Sequence, residues 1–417
     1  MSALDFSHSQ TEAGSAVCAP AALRPARRVA ILGSTGSIGR NTLEVVGGLA
    51  AAGRTLEIAG LAAGDNVAEL EQQVRRWRPA LAALRTEAAA AALRERIADL
   101  RPRPEVLSGG EGLRQVAGGC GADTVVAATV GVAGLEAVFA AARAGCRLAL
   151  ANKEALVAAG ELLLEAARKG GAAILPVDSE HSAIHQCLAG GGGNRVRRLV
   201  LTASGGPFRG WTREALAGVK RAAALQHPTW RMGERISLDS ATLMNKGFEV
   251  IEACWLFGMD ESAVEVLVHP QSIVHSMVEF VDGSVLAKMS PPDMKMPIQY
   301  ALTYPERLGA AGNRLNLVET GKLEFESPDG TNFPCLALAR QAWRAGGGAG
   351  AALNAADEVA VAAFAAGEIG FLAIPTVIAK TLERMGAPRV ESLEAVLEVD
   401  ARARAMARDV QREGMGR

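Results

Sequence analysis

Val29-Ala30-Ile31-Leu32-Gly33-Ser34-Thr35-Gly36-Ser37-Ile38-Gly39 joins an apolar run to a glycine loop that opens a helix. The run reads as a buried strand, so the segment is a strand–turn–helix unit. Glycines allow the tight turn and let backbone amides face a pyrophosphate at the positive end of the helix. The spacing is G-x-x-G-x-x-G, without the lysine that a P-loop needs. The pattern then recurs, and the recurrence decides the fold. Strands are predicted at Val29–Leu32, Thr55–Ala62, Ala80–Leu84, Thr124–Thr129, Arg147–Ala151 and Ala172–Val177. Helical spacing fills Asn66–Trp77, Glu87–Asp99, Val132–Ala144 and Glu154–Lys169 between them. Short strands alternating with helices imply an α/β fold with a doubly wound parallel sheet.

Further along, strands are predicted at Arg198–Ala203, Ala263–Val268, Ile273–Val281 and Ser284–Met289, with fewer helices between them. Val281-Asp282-Gly283-Ser284 predicts a hairpin with a type I′ turn. A central mixed α/β domain with antiparallel strands follows from this. The chain from Pro305 to Pro334 reads as a connection, and Cys335 to Arg417 as a helical bundle. The glycine tracts Gly190–Gly193 and Gly346–Gly348 read as flexible loops. The domain reading is a disordered tail over 1–27, a nucleotide-binding domain over 28–177, a central domain over 178–303, a linker over 304–330 and a helical bundle over 331–417.

The bulk numbers exclude several classes. At 417 residues the chain is long for one core. A net charge of −1 gives no general attraction to nucleic acid or an anionic membrane. No apolar run approaches the ~18 residues of a membrane span. The six cysteines form no C-x-x-C pair, which fits reduced thiols in a cytoplasmic protein.

Two distant stretches carry the chemistry, Val177-Asp178-Ser179-Glu180-His181 and Ser240 to Glu249. Each follows a predicted strand (Ala172–Val177; Arg235–Leu238), where carboxylates are costly unless solvated, paired or bound to a cation. Asp178 and Glu180 point the same way if strand geometry persists. Asn245 and Glu249 share one face of a helix for which Ser240 is a suitable N-cap. Three acids (Asp178, Glu180, Glu249) suit Mg²⁺ or Mn²⁺; the bland reading is a set of wet acids. A rival places His181 and His185 with Asp178 on zinc.

Lys153 follows a strand at the ligand-binding edge of the sheet. Ser204-Gly205-Gly206-Pro207 is either a phosphate-binding turn or an ordinary one. The segment from His227 to Gly233, with Trp230 and Met232, is either core or a lid. At the end of the second strand, Asp65 by its spacing tilts towards NAD.

Together these segments closely resemble the 1-deoxy-D-xylulose 5-phosphate reductoisomerase family. The resemblance rests on Gly33–Gly39, Leu150–Glu154, Pro176–His181, Ser204–Phe208, His227–Gly233, Ser237–Glu252, His269–Ser272, Pro292–Met294 and Leu353–Ala356, in family order. It implies a Rossmann-like NADP-binding domain and an NADPH- and divalent-metal-dependent enzyme. Such an enzyme rearranges and then reduces a sugar phosphate in the methylerythritol phosphate route, as a homodimer.

The resemblance gives Thr35, Gly36, Ser37, Ile38, Gly64, Asn66, Asn152 and Glu154 to the cofactor, and Asp65, by its spacing, and Gly233 join that expected set. It gives Asp178, Glu180 and Glu249 to the metal, and makes these three with Lys153 the catalytic set. Lys153, Ser179, Glu180, Ser204, His227, Trp230, Ser240, Asn245, Lys246 and Glu249 fall to the substrate. Asp65 stands where many relatives carry a basic residue. His185 stands where an apolar residue is common. The alternatives are another NAD(P)-dependent dehydrogenase of the semialdehyde or homoserine type, and a dinucleotide-sensing regulator.

Overall fold

A computed structural model describes residues 25–309 and 312–415. The predicted tail lies outside the described residues except for its last three positions. Those are docked: Ala26 is buried, and its N–H donates to the Leu302 carbonyl at 3.1 Å.

The first sheet is built from β1 (Arg28–Leu32), β2 (Glu57–Ala63), β3 (Leu81–Leu84), β4 (Glu105–Ser108), β5 (Thr124–Ala127), β6 (Arg147–Leu150) and β7 (Ile174–Pro176). Its order is β4-β3-β2-β1-β5-β6-β7, with every neighbouring pair parallel. Helices α1 (Ser37–Ala51), α2 (Val67–Trp77), α3 (Glu87–Arg96), α4 (Gly109–Gly118), α5 (Leu135–Arg143) and α6 (Glu154–Gly170) make the crossovers. Strand β5 is buried throughout and β1 in all but its first residue. Burial on both faces is why these strands read as unbroken apolar runs. The strand order reverses between β1 and β5, which opens a crevice at their carboxyl ends.

β4 and α4 were not foreseen. β4 is a four-residue edge strand with one fully buried side chain, Val106, so it carries little apolar signal.

After β7 come α7 (Ser179–Gly190), β8 (Val196–Ala203), α8 (Arg213–Ala217), α9 (Arg221–Ala224), α10 (Glu234–Ala241) and α11 (Met244–Phe257). Then β9 (Val264–Val268), β10 (Val274–Phe280) and β11 (Val285–Met289) complete a second sheet, ordered β11-β10-β8-β9. β10 is antiparallel to both its neighbours and β8 is parallel to β9. The predicted hairpin forms, but not as type I′. Phe280 N–H bonds Ser284 O at 2.9 Å across three residues, and only Gly283 takes positive φ, at 86°. This is the three-residue loop with glycine in the left-handed position.

Helices α12 (Lys295–Thr303) and α13 (Leu317–Thr320) precede the terminal bundle of α14 (Cys335–Ala345), α15 (Ala349–Ala365), α16 (Ile374–Met385) and α17 (Leu393–Met415). The second glycine tract is packed rather than loose, whereas Gly192 and Gly193 in the first are exposed with open space around them. Gly348 N–H bonds Pro388 O at 2.7 Å, and a Cβ on Gly347 would stand 2.7 Å from the same carbonyl oxygen.

Two local expectations fail. Arg235–Leu238 is not a strand but the first half of α10; a short apolar run fits either state. Ser240 is not an N-cap: it lies near the end of α10, and α11 begins after Leu243, a non-glycine residue at φ 61°. Burial of the Leu243 side chain in the core holds that conformation.

Candidate active site

The glycine loop is shaped by backbone crowding. Gly33 has φ 86°, and a Cβ there would stand 2.5 Å from the Ala128 carbonyl oxygen. A Cβ on Gly39 would stand 2.5 Å from the Ser34 Cα. Gly36 is the N-cap of α1 with no capping side chain, and the first turn holds no acid. The orphan N–H groups of that turn therefore face the crevice, ready for an anion. Such a cradle fits a pyrophosphate.

From this loop a cavity of about 470 Å³ runs to the acids, and Gly36, Ser37 and Ile38 line one end of it. Lys153, Glu154, Asp178, Ser179, Glu180, Ser204, His227, Trp230, Gly233, Ser240, Asn245, Lys246 and Glu249 line the rest. The structure thus brings most of the expected site residues to one cavity.

Five do not line it. Thr35 lies within the loop, with its carbonyl accepting from Arg40 at 2.8 Å. Gly64, Asp65 and Asn66 lie at the end of β2, where Asn66 caps α2. The Asn152 side chain bonds main chain at Thr129, Gly131 (2.9 Å) and Ala155 (2.9 Å), so it shapes the loop after β5.

Asp178 and Glu180 converge by a route other than strand alternation. Asp178 is the N-cap of α7, its Oδ1 accepting from the Glu180 N–H at 3.1 Å, and Glu180 sits in the first turn. Glu249 reaches them from the second turn of α11. One carboxylate oxygen from each of the three lies within 4.8 Å of the others. Lys153 Nζ stands among them, 2.8 Å from Asp178 Oδ2, 2.8 Å from Asn245 Oδ1 and 3.0 Å from Glu249 Oε1. Lys246 Nζ bonds Glu249 Oε2.

These charges perturb one another strongly. Burial and the neighbouring Asp178 raise the Glu249 carboxyl above its usual range. Burial lifts Glu252, one turn further on, to about 7. Burial also opposes ionisation of Asp178, but Lys153 and His181 hold it well below the ordinary value. Burial disfavours the Lys153 ammonium, yet Asp178 and Glu249 keep it charged well above its usual range. Crowded acids with oxygen donors aimed at one point suit a hard divalent cation, which relieves their repulsion.

Asp178, His181 and Glu252 form a second cluster of possible ligand atoms. Here His181 Nε2 lies 2.9 Å from the Glu249 carbonyl and so carries a proton. Its Nδ1 sits 3.1 Å from Asp178 Oδ1 and 3.3 Å from Glu252 Oε2. Against the cost of burial, Glu252 and Asp178 raise this imidazole to about 9. His185 points elsewhere, its Nδ1 2.8 Å from the Tyr300 hydroxyl. The zinc reading therefore fails.

His227 fixes a tautomer. Its Nδ1 accepts from the N–H groups of Thr229 (3.1 Å) and Trp230 (2.9 Å), so Nε2 carries the proton and donates to Ser204 Oγ at 2.7 Å. One ring thereby ties the irregular segment around Trp230 to the turn after β8. Trp230 in turn meets His275 edge to face at 6.2 Å.

Sequence reasoning missed Arg235 as a centre. It lines the cavity and bonds Glu358 at 2.7 Å, Asn354 at 2.7 Å and Glu154 at 3.1 Å, with Asp239 at 3.5 Å and Asp357 at 3.6 Å. The i,i+4 spacing of Arg235 and Asp239 was the available signal, hidden by the strand reading.

Comparison with known proteins gives one consistent result. The family described as 1-deoxy-D-xylulose 5-phosphate reductoisomerase matches residues 29–160, and its C-terminal domain matches 174–257. A further family, the DXP reductoisomerase C-terminal domain, matches 289–406. The 1-deoxy-D-xylulose 5-phosphate reductoisomerase of Aromatoleum aromaticum is 51% identical over 387 residues, covering 92% of this chain and 95% of its own. The Zymomonas mobilis enzyme, solved in complex with NADPH, superposes with a TM-score of 0.86 at 42% identity, covering 92% of this chain and 99% of that one. A DOX-P reductoisomerase solved with NADPH, fosmidomycin and magnesium gives 0.87 at 41% identity, covering 93% and 98%.

Proposed function

The chain belongs to the 1-deoxy-D-xylulose 5-phosphate reductoisomerase family, and from that premise we propose how its residues divide the work of the reaction. The enzyme converts 1-deoxy-D-xylulose 5-phosphate to 2-C-methyl-D-erythritol 4-phosphate with NADPH and a divalent metal, in non-mevalonate isoprenoid biosynthesis. The observation that carries the division is the meeting of three buried carboxylates and Lys153 in a cavity that begins at the glycine loop.

Asp178, Glu180 and Glu249 hold Mg²⁺ or Mn²⁺. When bound, the ion supplies Lewis-acid stabilisation of charge during the skeletal rearrangement, and NADPH supplies the hydride. Both a retro-aldol/aldol path and a direct ketol shift need that stabilisation. Lys153 adds a fixed positive charge beside the oxygens on which charge develops. The loop amides of Gly36, Ser37 and Ile38 seat the cofactor pyrophosphate, and Glu154 and Gly233 border the nicotinamide end.

Ser179, Ser204, Ser240, Asn245 and Lys246 bind substrate, mostly through its phosphate. His227 couples that end to the lid: a phosphate drawn to Ser204 also braces the ring that holds the Thr229 and Trp230 amides. Closure of Trp230 excludes water and uses remote binding energy to orient the reacting carbons.

The finer reading adds a cytoplasmic homodimer. No helix among the described residues is long and apolar enough to cross a membrane. The edge strand β11 is exposed at Val285 and Leu286, and its edge, unpaired among the described residues, could take a strand of a second copy.

The direct test is NADPH oxidation with 1-deoxy-D-xylulose 5-phosphate, with and without a chelator. Turnover that stops with the chelator and returns with Mg²⁺ is expected. A semialdehyde-type dehydrogenase keeps its activity in the chelator, and a sensor shows no turnover at all. Lys246→Ala is expected to raise the substrate KM by roughly 10- to 100-fold, as for the loss of a bond to a charged group. The NADPH KM should stay near the parent value; an unchanged substrate KM removes Lys246 from the phosphate site.

A further inference from the structure

The corner where β2 and β3 end carries an ion pair that none of the roles above uses. The carboxyl end of β2 lies against the glycine loop, since the Gly33 and Ser34 amides donate to the Ala62 carbonyl at 2.9 and 2.8 Å. Asp65 follows at the place where an acid grips a free ribose 2′-hydroxyl and a nearby arginine instead accommodates a 2′-phosphate. A free carboxylate there repels a 2′-phosphate, yet the enzyme works with NADPH.

Arg85 resolves the conflict. It stands just past β3, and its own N–H donates to the Gly64 carbonyl at 3.1 Å, which fixes the two loops side by side. Its guanidinium faces the acid with two nitrogens, Nη2 on Oδ2 and Nε 3.3 Å from Oδ1. The Arg85 side chain is 71% exposed and that of Asp65 46%, so the pair is open to a ligand. Arg40, on the helix that follows the glycine loop, is already engaged. It bonds the Thr35 carbonyl at 2.8 Å and Glu69 at 3.3 Å. Asn66 is held by capping α2 and by Glu69 Oε2 at 2.9 Å.

The geometry points to Arg85 as the residue that recognises the 2′-phosphate of NADPH, with Asp65 positioning its guanidinium. A planar fork matches both a carboxylate and a phosphate, so it can pass from one to the other or bridge them. Asp65 thus screens as well as orients. The basic group sits on the neighbouring strand end, where a reading of position 65 alone does not find it. This rests on the NADPH dependence stated above.

The test uses calorimetric binding of two probes, 2′,5′-ADP and 5′-AMP, to the full chain. Arg85→Ala is expected to weaken 2′,5′-ADP by roughly 10- to 100-fold and to leave 5′-AMP unchanged. Arg85→Lys should recover part of the loss. Asp65→Asn should weaken 2′,5′-ADP far less than Arg85→Ala, because the guanidinium stays in reach.

Equal loss of both probes, or of neither, in Arg85→Ala overturns the inference and leaves an ordinary surface pair. Wild-type turnover of the sugar phosphate with an Arg85→Ala variant of unaltered probe selectivity sinks this inference alone. Probe selectivity that depends on Arg85 in a protein without turnover sinks the functional reading and keeps this one.

Discussion

Glu249→Gln is expected to lower kcat roughly 10³-fold at ordinary Mg²⁺, the loss of several kcal/mol of charge stabilisation. The substitution keeps size and removes one of three converging charges. Glu249 is 1% exposed and bonds Lys153, Asn245 and Lys246, so no solvent can replace what is removed. NADPH binding, measured by fluorescence, should be nearly intact because the glycine loop lies at the other end of the cavity. Lost cofactor binding with normal folding shows that α11 has a different task. Raised Mg²⁺ should recover part of the activity.

Arg235→Met is expected to cost about 3–5 kcal/mol of stability, the figure for removing one partner of a buried ion pair. Asp239 and Asp357 are 4% and 0% exposed, and the guanidinium is the cation nearest both. Burial already raises Asp239 to about 6 against Arg235, which lowers it. At Asp239 the folded state therefore binds more proton than the unfolded chain between pH 3.8 and about 6. For such a group stability falls as pH rises through that window and stays low above it. Without Arg235 the folded pKa climbs further, so the deficit of the variant should be largest near pH 7.5 and shrink on acidification towards 5.5. Denaturant melts at both pH values check this. A deficit independent of pH means that lost packing, and not stranded carboxylates, is the cause.

How much was legible depends on how far each signal reaches along the chain. The strands of the first sheet declare themselves because burial on both faces leaves continuous runs such as Val29–Leu32. β4 was silent for the opposite reason, with an exposed Glu105 and a single buried valine. The acids of the site stood out because Asp178 and Glu180 are expensive next to an apolar run. Their geometry did not, since a carboxylate at a strand end can continue the strand or cap a helix. Asp178 caps, and the following N–H groups take its Oδ1.

The break at Leu243 had no local sign at all. A leucine at φ 61° is tolerated only because the core holds it, and that is a tertiary fact. Arg85 went unread for the same reason, and so did most of Arg235's partners, which lie on other elements; its one local partner, Asp239, was hidden by the strand reading. Asn152 stood out beside Lys153 as a cofactor-binding candidate, but its bracing of the Gly131 carbonyl had no sign in the sequence.

The partners of the Lys153 ammonium lie 25, 92 and 96 positions away in the chain. A nascent polypeptide that has finished only its first sheet has no cation-binding centre, however well that sheet has formed. Closing such long loops is slow and comes late in folding. Whatever occupies the centre therefore selects the completed molecule over every partial one. At a hundredfold excess over its Kd, an occupant adds about 2.7 kcal/mol to the free energy of unfolding.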